Sequence, residues 1–265
     1  MDRVCYWTVA NNEYVHLASA LVFSARKVGV TEDFLVFGDR EVRGAKFFRA
    51  DIPPSERWGC WFKFRFLERF LVNLDYDYFV WLHSENFFVR KPRSVLSLMC
   101  GSPMHCFLEC DIGDSRNSRK DWWGCPNKRL VELYRERGVI SEKCYNVNGG
   151  FFVIKRSFIS EFIRIVDDFY EFCLGMGFRF VDEVPLAYVM QLVCGDCGLH
   201  TSKFNRDFWN CDWVGNWVDK IPDGSGWWSE HYMTGVRELV NPDVVHAMRC
   251  KDKLIEYGKH AKIRS

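Results

Sequence analysis

The residues best suited to chemistry fall in polar clusters set against apolar runs. His83-Ser84-Glu85 follows directly on the apolar segment Tyr78–Leu82, and Asp182-Glu183 stands just ahead of an apolar stretch at 186–193. A strand that ends in a polar triplet is the first place to expect a ligand, because ligands of open α/β sheets sit beyond the carboxyl ends of the strands. Asp182-Glu183 opens a helix, where carboxylates are available for chemistry and where Asp182 is equally a natural N-cap. The pair Gly149-Gly150 precedes a strand at 151–154, and glycine there either lets backbone approach a ligand closely or simply turns the chain. Cys194 and Cys197 have metal or redox spacing, but no second pair completes a four-cysteine zinc site, so a structural role is expected.

These clusters must be positioned by alternating elements. Val4–Ala10 reads as a short strand, and 14–28 carries apolar residues at helical spacing before Gly29 closes it. A second strand is expected at 34–37, a helix with an apolar face at 61–74, and a strand at Tyr78–Leu82. Pro92 should start a helical stretch to Met99, and 104–110 reads as a strand. The segment 111–127 reads as a polar loop with Trp122-Trp123-Gly124 at its end. Helices follow at 128–137 and 157–173. Strands alternating with helices imply parallel strands joined by right-handed crossovers. No repeat or long linker divides the chain, so one domain spanning 1–265 is expected.

Composition bounds the function. At 265 residues the chain can bury about three-quarters of its unfolded surface. With 48% hydrophobic and 17% aromatic residues, disorder is excluded as its main state. A net charge of +1 gives no global field for nucleic acid or an anionic membrane. The basic tail (Lys251, Lys253, Lys259, Lys262, Arg264) reads as a solvated end. The start reads as a strand rather than a signal peptide, and no apolar run approaches the roughly 18 residues needed to span a bilayer. A cytoplasmic setting with reduced thiols is therefore expected, the remaining cysteines, such as Cys60, Cys106 and Cys173, filling core space.

The segment 63–70 (KFRFLERF) followed by 77–86 (DYFVWLHSEN) resembles the GT-A nucleotide-sugar glycosyltransferases, whose helix and strand lead into an Asp-x-Asp metal motif. The layout around Trp81-Leu82 is similar to retaining galactosyl and xylosyl transferases. Three further landmarks come in the family's order: 146–152 resembles its Asn-x-Gly strand, 181–186 the Asp-Glu turn of the blood-group-type transferases, and 244–253 its late histidine segment.

The resemblance implies a single Rossmann-like GT-A domain with a central, mostly parallel sheet, 1–110 forming a nucleotide-binding half and 111–265 an acceptor-side half. It implies a nucleotide-sugar donor, with UDP the expected nucleotide. Glu85 stands where the family's metal carboxylate stands, His83 replaces the first Asp, and His246 corresponds to the late metal-binding His. Such a site suits Mn2+ better than Mg2+, since imidazole is a poor ligand for magnesium. Lys251 or Lys253, with Arg249 as a third choice, would sit near the diphosphate. Thr8, Ala10 and Asn11 would hold base and ribose, and Tyr14 would stack on the base. Lys63 or Arg65 would reach the phosphates, while Asn148 and Gly149 would meet the sugar. Glu183, with Asp182 beside it, would face the anomeric carbon as nucleophile or electrostatic partner, or as general base in an inverting enzyme.

The acceptor is open: a glycan, a glycoprotein or a modified base in DNA. Trp122, Trp123, Trp209, Trp213, Trp217, Trp227 and Trp228 are candidates to stack on it, Trp122 and Trp123 first. The competing reading is a non-catalytic nucleotide- or glycan-binding relative in which His83 marks a degenerate metal motif.

Overall fold

The structure, a computed structural model, describes residues 2–53, 60–115, 120–194, 207–211, 227–230 and 237–260. Its centre is a six-stranded mixed sheet. Strand β1 (Val4–Ala10) is flanked by β2 (Asp33–Gly38) and β4 (Tyr78–Leu82), both parallel to it, and β3 (Lys46–Arg49) extends the sheet in parallel beyond β2. On the other side β9 (Tyr145–Lys155) runs antiparallel to β4, and β6 (Met104–Asp111) antiparallel to β9. Three of the five neighbouring pairs are thus parallel, and β9 is the one strand reversed against the rest.

Alternation along β1 divides its side chains between two cores. Cys5, Trp7 and Val9 join Phe37, Trp81 and Phe152 on one face, while Tyr6 and Ala10 join Phe34, Val80 and Phe151 on the other. The first core is covered by α2 (Phe62–Arg69), α4 (Ile159–Gly175) and α5 (Glu183–Cys194), and the second by α1 (Tyr14–Lys27). Helix α3 (Asn127–Glu136) adds Leu130, Leu133 and Tyr134 to the first. A strand covered on both faces is apolar throughout, which is why Tyr78–Leu82 is legible as an unbroken apolar run.

Several elements differ from the sequence expectation. Strand β9 begins at Tyr145, six residues before the expected strand: pairing with both β4 and β6 overrides the poor strand propensity of Asn146, Asn148 and two glycines, and register shifts in β6 absorb the mismatch. The stretch from Pro92 makes only a 3-10 turn, Val95–Leu98, because Cys100 and Gly101 reverse the chain with φ of 46° and 81°. Helix α5 starts at Glu183, three residues early, since Pro185 is tolerated in a first turn whose N–H groups lack helical partners. In the polar loop Asp121–Trp122 (β7) pairs with Cys125–Pro126 (β8).

The basic tail is corrected most. Lys251–His260 forms α6, which packs on α1 so closely that a Cβ on Gly258 would lie 1.8 Å from the His16 carbonyl oxygen. Its first turn lies against β5 (Asn86–Phe88) and β13 (Val244–His246), which with β10 (Trp209–Cys211) make a second, three-stranded sheet. Strands β11 (Trp227–Glu230) and β12 (Arg237–Val240) pair with each other. No helix among the described residues is long and apolar enough to cross a membrane.

Candidate metal centre and carboxylate pair

At the carboxyl end of β4 the chain turns over four residues: His83 donates its backbone N–H to the Gly150 carbonyl at 3.0 Å, and Asn86 returns an N–H to the His83 carbonyl at 3.0 Å. The wholly buried Asn86 amide locks this turn, donating to the carbonyls of His83 (2.8 Å) and Gly150 (3.1 Å) and accepting from the Trp209 indole (2.7 Å). Strand β5 then pairs with β13, setting His246 opposite Asn86, and Ala247 donates its N–H to the Glu85 carbonyl at 3.0 Å. The turn and the second sheet therefore bring His83, Glu85 and His246 together, with ligand atoms all within 4.8 Å of one another.

Burial sets the charge state of this group. It pushes the His83 imidazolium well below its usual range, with Lys63 adding to the effect and Glu85 opposing it. Burial likewise lowers His246 to about 4, against the pull of Glu85 and with help from Lys251 and Lys63. Burial alone would raise Glu85, but His83, His246 and Lys251 outweigh it and hold the carboxyl at about 2. Two neutral imidazoles and one carboxylate result at neutral pH. The Nδ1 of His83 lies 3.8 Å from Glu85 Oε2, and its buried Nε2 has no hydrogen-bond partner among the described residues. This donor set fits a divalent first-row ion such as Mn2+ and fits Mg2+ poorly. Lys251, the first residue of α6, places its Nζ 2.6 Å from Glu85 Oε1 and 5.7 Å from the centre of the Tyr14 ring.

The second cluster lies on the other side of β9. Lys63 of α2 is wholly buried; its ammonium donates to the Gly149 carbonyl at 2.8 Å, pairs with Asp182, and lies 5.5 Å from the centre of the Trp81 ring. The Trp81 indole donates to the same carbonyl at 2.9 Å. Glu183 accepts from the Gly149 N–H at 2.8 Å on one oxygen and from the Trp123 indole at 2.6 Å on the other. Burial, then repulsion by Asp182, raises the Glu183 carboxyl to about 7 despite these donors and Lys63. Asp182 is raised by burial too, with Lys63 opposing.

Two adjacent glycines join the clusters. A Cβ on Gly150 would meet the His246 ring at 2.6 Å, and a Cβ on Gly149 would meet Asp182 and Lys63 at 2.8 Å and Glu183 at 3.1 Å. Both sets of side chains occupy the space that any other residue would fill, so the glycines are required by close approach.

The other candidates are placed as follows. Thr8 and Ala10 are buried inside β1, whereas Asn11 and Tyr14 lie at its carboxyl end, Tyr14 being 41% exposed. Asn148 donates to Glu109 (3.3 Å) and accepts from the Gly150 N–H (2.9 Å). Of the two late lysines it is Lys251 that reaches Glu85, while Lys253 is exposed. Arg65 forms a bidentate pair with Asp167 of α4, so it braces two helices. Trp122 and Trp209 belong to the core, since both are almost wholly buried, but Trp123 is 51% exposed. Trp213, Trp217 and Cys197 lie outside the described residues, as do the side chains of Trp227 and Trp228.

Sequence reasoning overlooks Asn86, Asp39 and the link from Trp123 to Glu183. Asp39, at the carboxyl end of β2, accepts from the Asn12 N–H at 3.0 Å and so ties together the two loops that leave β1 and β2. An Asn next to a polar triplet and an Asp after a strand were the available signals; the Trp123 contact spans 60 residues and has none.

No protein-family model matches the chain, and no curated protein shows significant similarity to it.

Proposed function

We propose that this chain is a retaining GT-A-type glycosyltransferase that takes a sugar from a nucleotide diphosphate, UDP in the first instance, with Mn2+ held by His83, Glu85 and His246. The observation that carries the reading is the packing of a divalent-ion donor set and a carboxylate pair, Asp182 buried and Glu183 partly so, against the adjacent glycines Gly149 and Gly150, at the carboxyl end of a parallel strand. A bound divalent ion would neutralise the departing diphosphate.

The protein's own groups do the rest. Lys251 supplies a cation beside Glu85 for the diphosphate, and Tyr14 and Asn11 lie where base and ribose would bind. Lys63 is engaged with Gly149 and Asp182, so its part is to fix the carboxylate pair rather than to grip a phosphate. Glu183 faces positive charge developing at the anomeric carbon, and its two donors hold it there. Trp123 offers an exposed ring to a sugar acceptor.

A second reading, a binding relative without catalysis, draws on one observation: Lys251 already neutralises Glu85. Thermal unfolding with UDP or GDP, with and without Mn2+, separates the two. A nucleotide at a hundred times its dissociation constant stabilises by about 2.7 kcal/mol. A Mn2+-dependent rise with one nucleotide, lost in Glu85→Ala, supports the transferase; a rise indifferent to Mn2+ favours the binding relative, and no rise with any nucleotide removes the donor site from the proposal.

A further inference from the structure

The hairpin of β7 and β8 closes through two residues, Trp123 and Gly124, with φ of 52° and 80°. Positive φ at both central positions is the type I′ geometry, which favours Asn, Asp or Gly at the first of them. A tryptophan there is strained. Burial does not offset that strain, because the indole is half exposed, while Trp122 and Cys125 on either side are buried and anchor the hairpin without it. What the strained conformation does achieve is a 2.6 Å hydrogen bond from the Trp123 indole N–H to Glu183 Oε2. Strain kept at a position with little packing return, and aimed at one polar group of a candidate site, is characteristic of functional positions.

We infer that Trp123 is a positioning residue for Glu183: the hairpin delivers its indole N–H so that the carboxylate is clamped between Trp123 and the Gly149 N–H. This deepens the transferase reading only in what Glu183 is positioned for; the clamp itself stands apart from it. The groups facing Glu183 are Asp182 on its own turn, Lys63 from α2, Cys60 just ahead of α2, the Gly149 N–H from β9 and Trp123. Of these donors Trp123 alone can be altered without touching the Lys63 and Asp182 pair.

The test follows the Glu183 carboxyl by 13C NMR in the full chain labelled at glutamate, without nucleotide, the signal being identified by its loss in Glu183→Gln. Trp123→Phe keeps a ring and removes the N–H; Trp123→Gly also relaxes the turn. A donor to the ionised form lowers a carboxyl pKa, so Trp123→Phe should titrate about one pH unit higher than the wild type; in Trp123→Gly the lost ring also admits water to the carboxyl, which works the other way, so that variant is read for stability. Trp123→Gly should unfold no earlier than the wild type on heating. An unchanged or lower Glu183 midpoint in Trp123→Phe overturns the inference, and earlier unfolding of Trp123→Gly beside it assigns Trp123 to packing. Because no donor or acceptor is used, failure of the transferase reading leaves this result intact.

Discussion

The imidazole of His246 sits where a side chain on Gly150 would begin, 2.6 Å from the position of a Cβ there. Gly150 Cα thus forms part of the wall of the candidate metal centre, and the ring is held by the absence of a methyl group. Gly150→Ala should displace His246, weaken Mn2+ binding about tenfold or more and cost about 1–3 kcal/mol of stability. Isothermal titration with Mn2+ and urea unfolding measure both. Gly175→Ala, in a helix and where a Cβ meets nothing within 4 Å among the described residues, is the control: it should leave Mn2+ binding unchanged and raise stability by no more than about 1 kcal/mol.

Glu183 gives a pH dependence of defined sign. Its folded-state carboxyl titrates near 7, above the ordinary value of 4.5, so between these values the folded protein holds the extra proton. Its contribution is full below about 4.5 and is lost as pH rises through 7. Glu183→Gln removes that slope, so its stability relative to wild type should grow from pH 5 to pH 8, by on the order of 2 kcal/mol. Urea midpoints at the two pH values decide it; a difference that is flat or that shrinks toward pH 8 contradicts the assignment.

Lys63 and Asp182 form a buried ion pair, and removing one member leaves the other charge without a partner. Lys63→Met should cost about 3–5 kcal/mol. The double variant Lys63→Met with Asp182→Asn should recover roughly half of this, because no buried charge remains. Equilibrium unfolding of both variants and of Asp182→Asn alone completes the cycle; a strictly additive result would mean that the two side chains do not interact.

Lys251 and an incoming metal compete for Glu85. Lys251 is partly exposed but Glu85 is buried and would lose its cation, so Lys251→Met should cost about 1–2 kcal/mol. In the absence of nucleotide the same variant should bind Mn2+ more tightly, by up to about fivefold, while binding UDP more weakly. Titration calorimetry with each ligand separately reads the two directions, and weaker Mn2+ binding would remove Lys251 from competition for Glu85.

Local pattern in the sequence was enough for the elements whose own residues dictate them. The apolar run Tyr78–Leu82 fixed a buried strand, the spacing of Phe62, Phe66 and Leu67 a helix face, and the polar triplet after β4 the place to look for a ligand. Elements that exist only through their partners were not legible. The three-residue strands β5 and β13 form because they pair with each other, and the asparagines and glycines of β9 are in a strand because β4 and β6 flank them. The tail at Lys251 reads as solvated by composition and becomes α6 because α1 offers it a surface.

Residue types and their place after a strand or ahead of a helix named His83, Glu85, Asp182 and Glu183 as candidates, and His246 joined them only through the resemblance to the GT-A transferases. Their distances, charge states and partners depend on contacts between residues far apart in the chain, such as Lys63 with Asp182 and Trp123 with Glu183. Sequence determines which groups are available and which faces bury them. Which of those groups meet, and whether each is charged when it does, is decided by tertiary structure, because both follow from burial and proximity that no local pattern encodes.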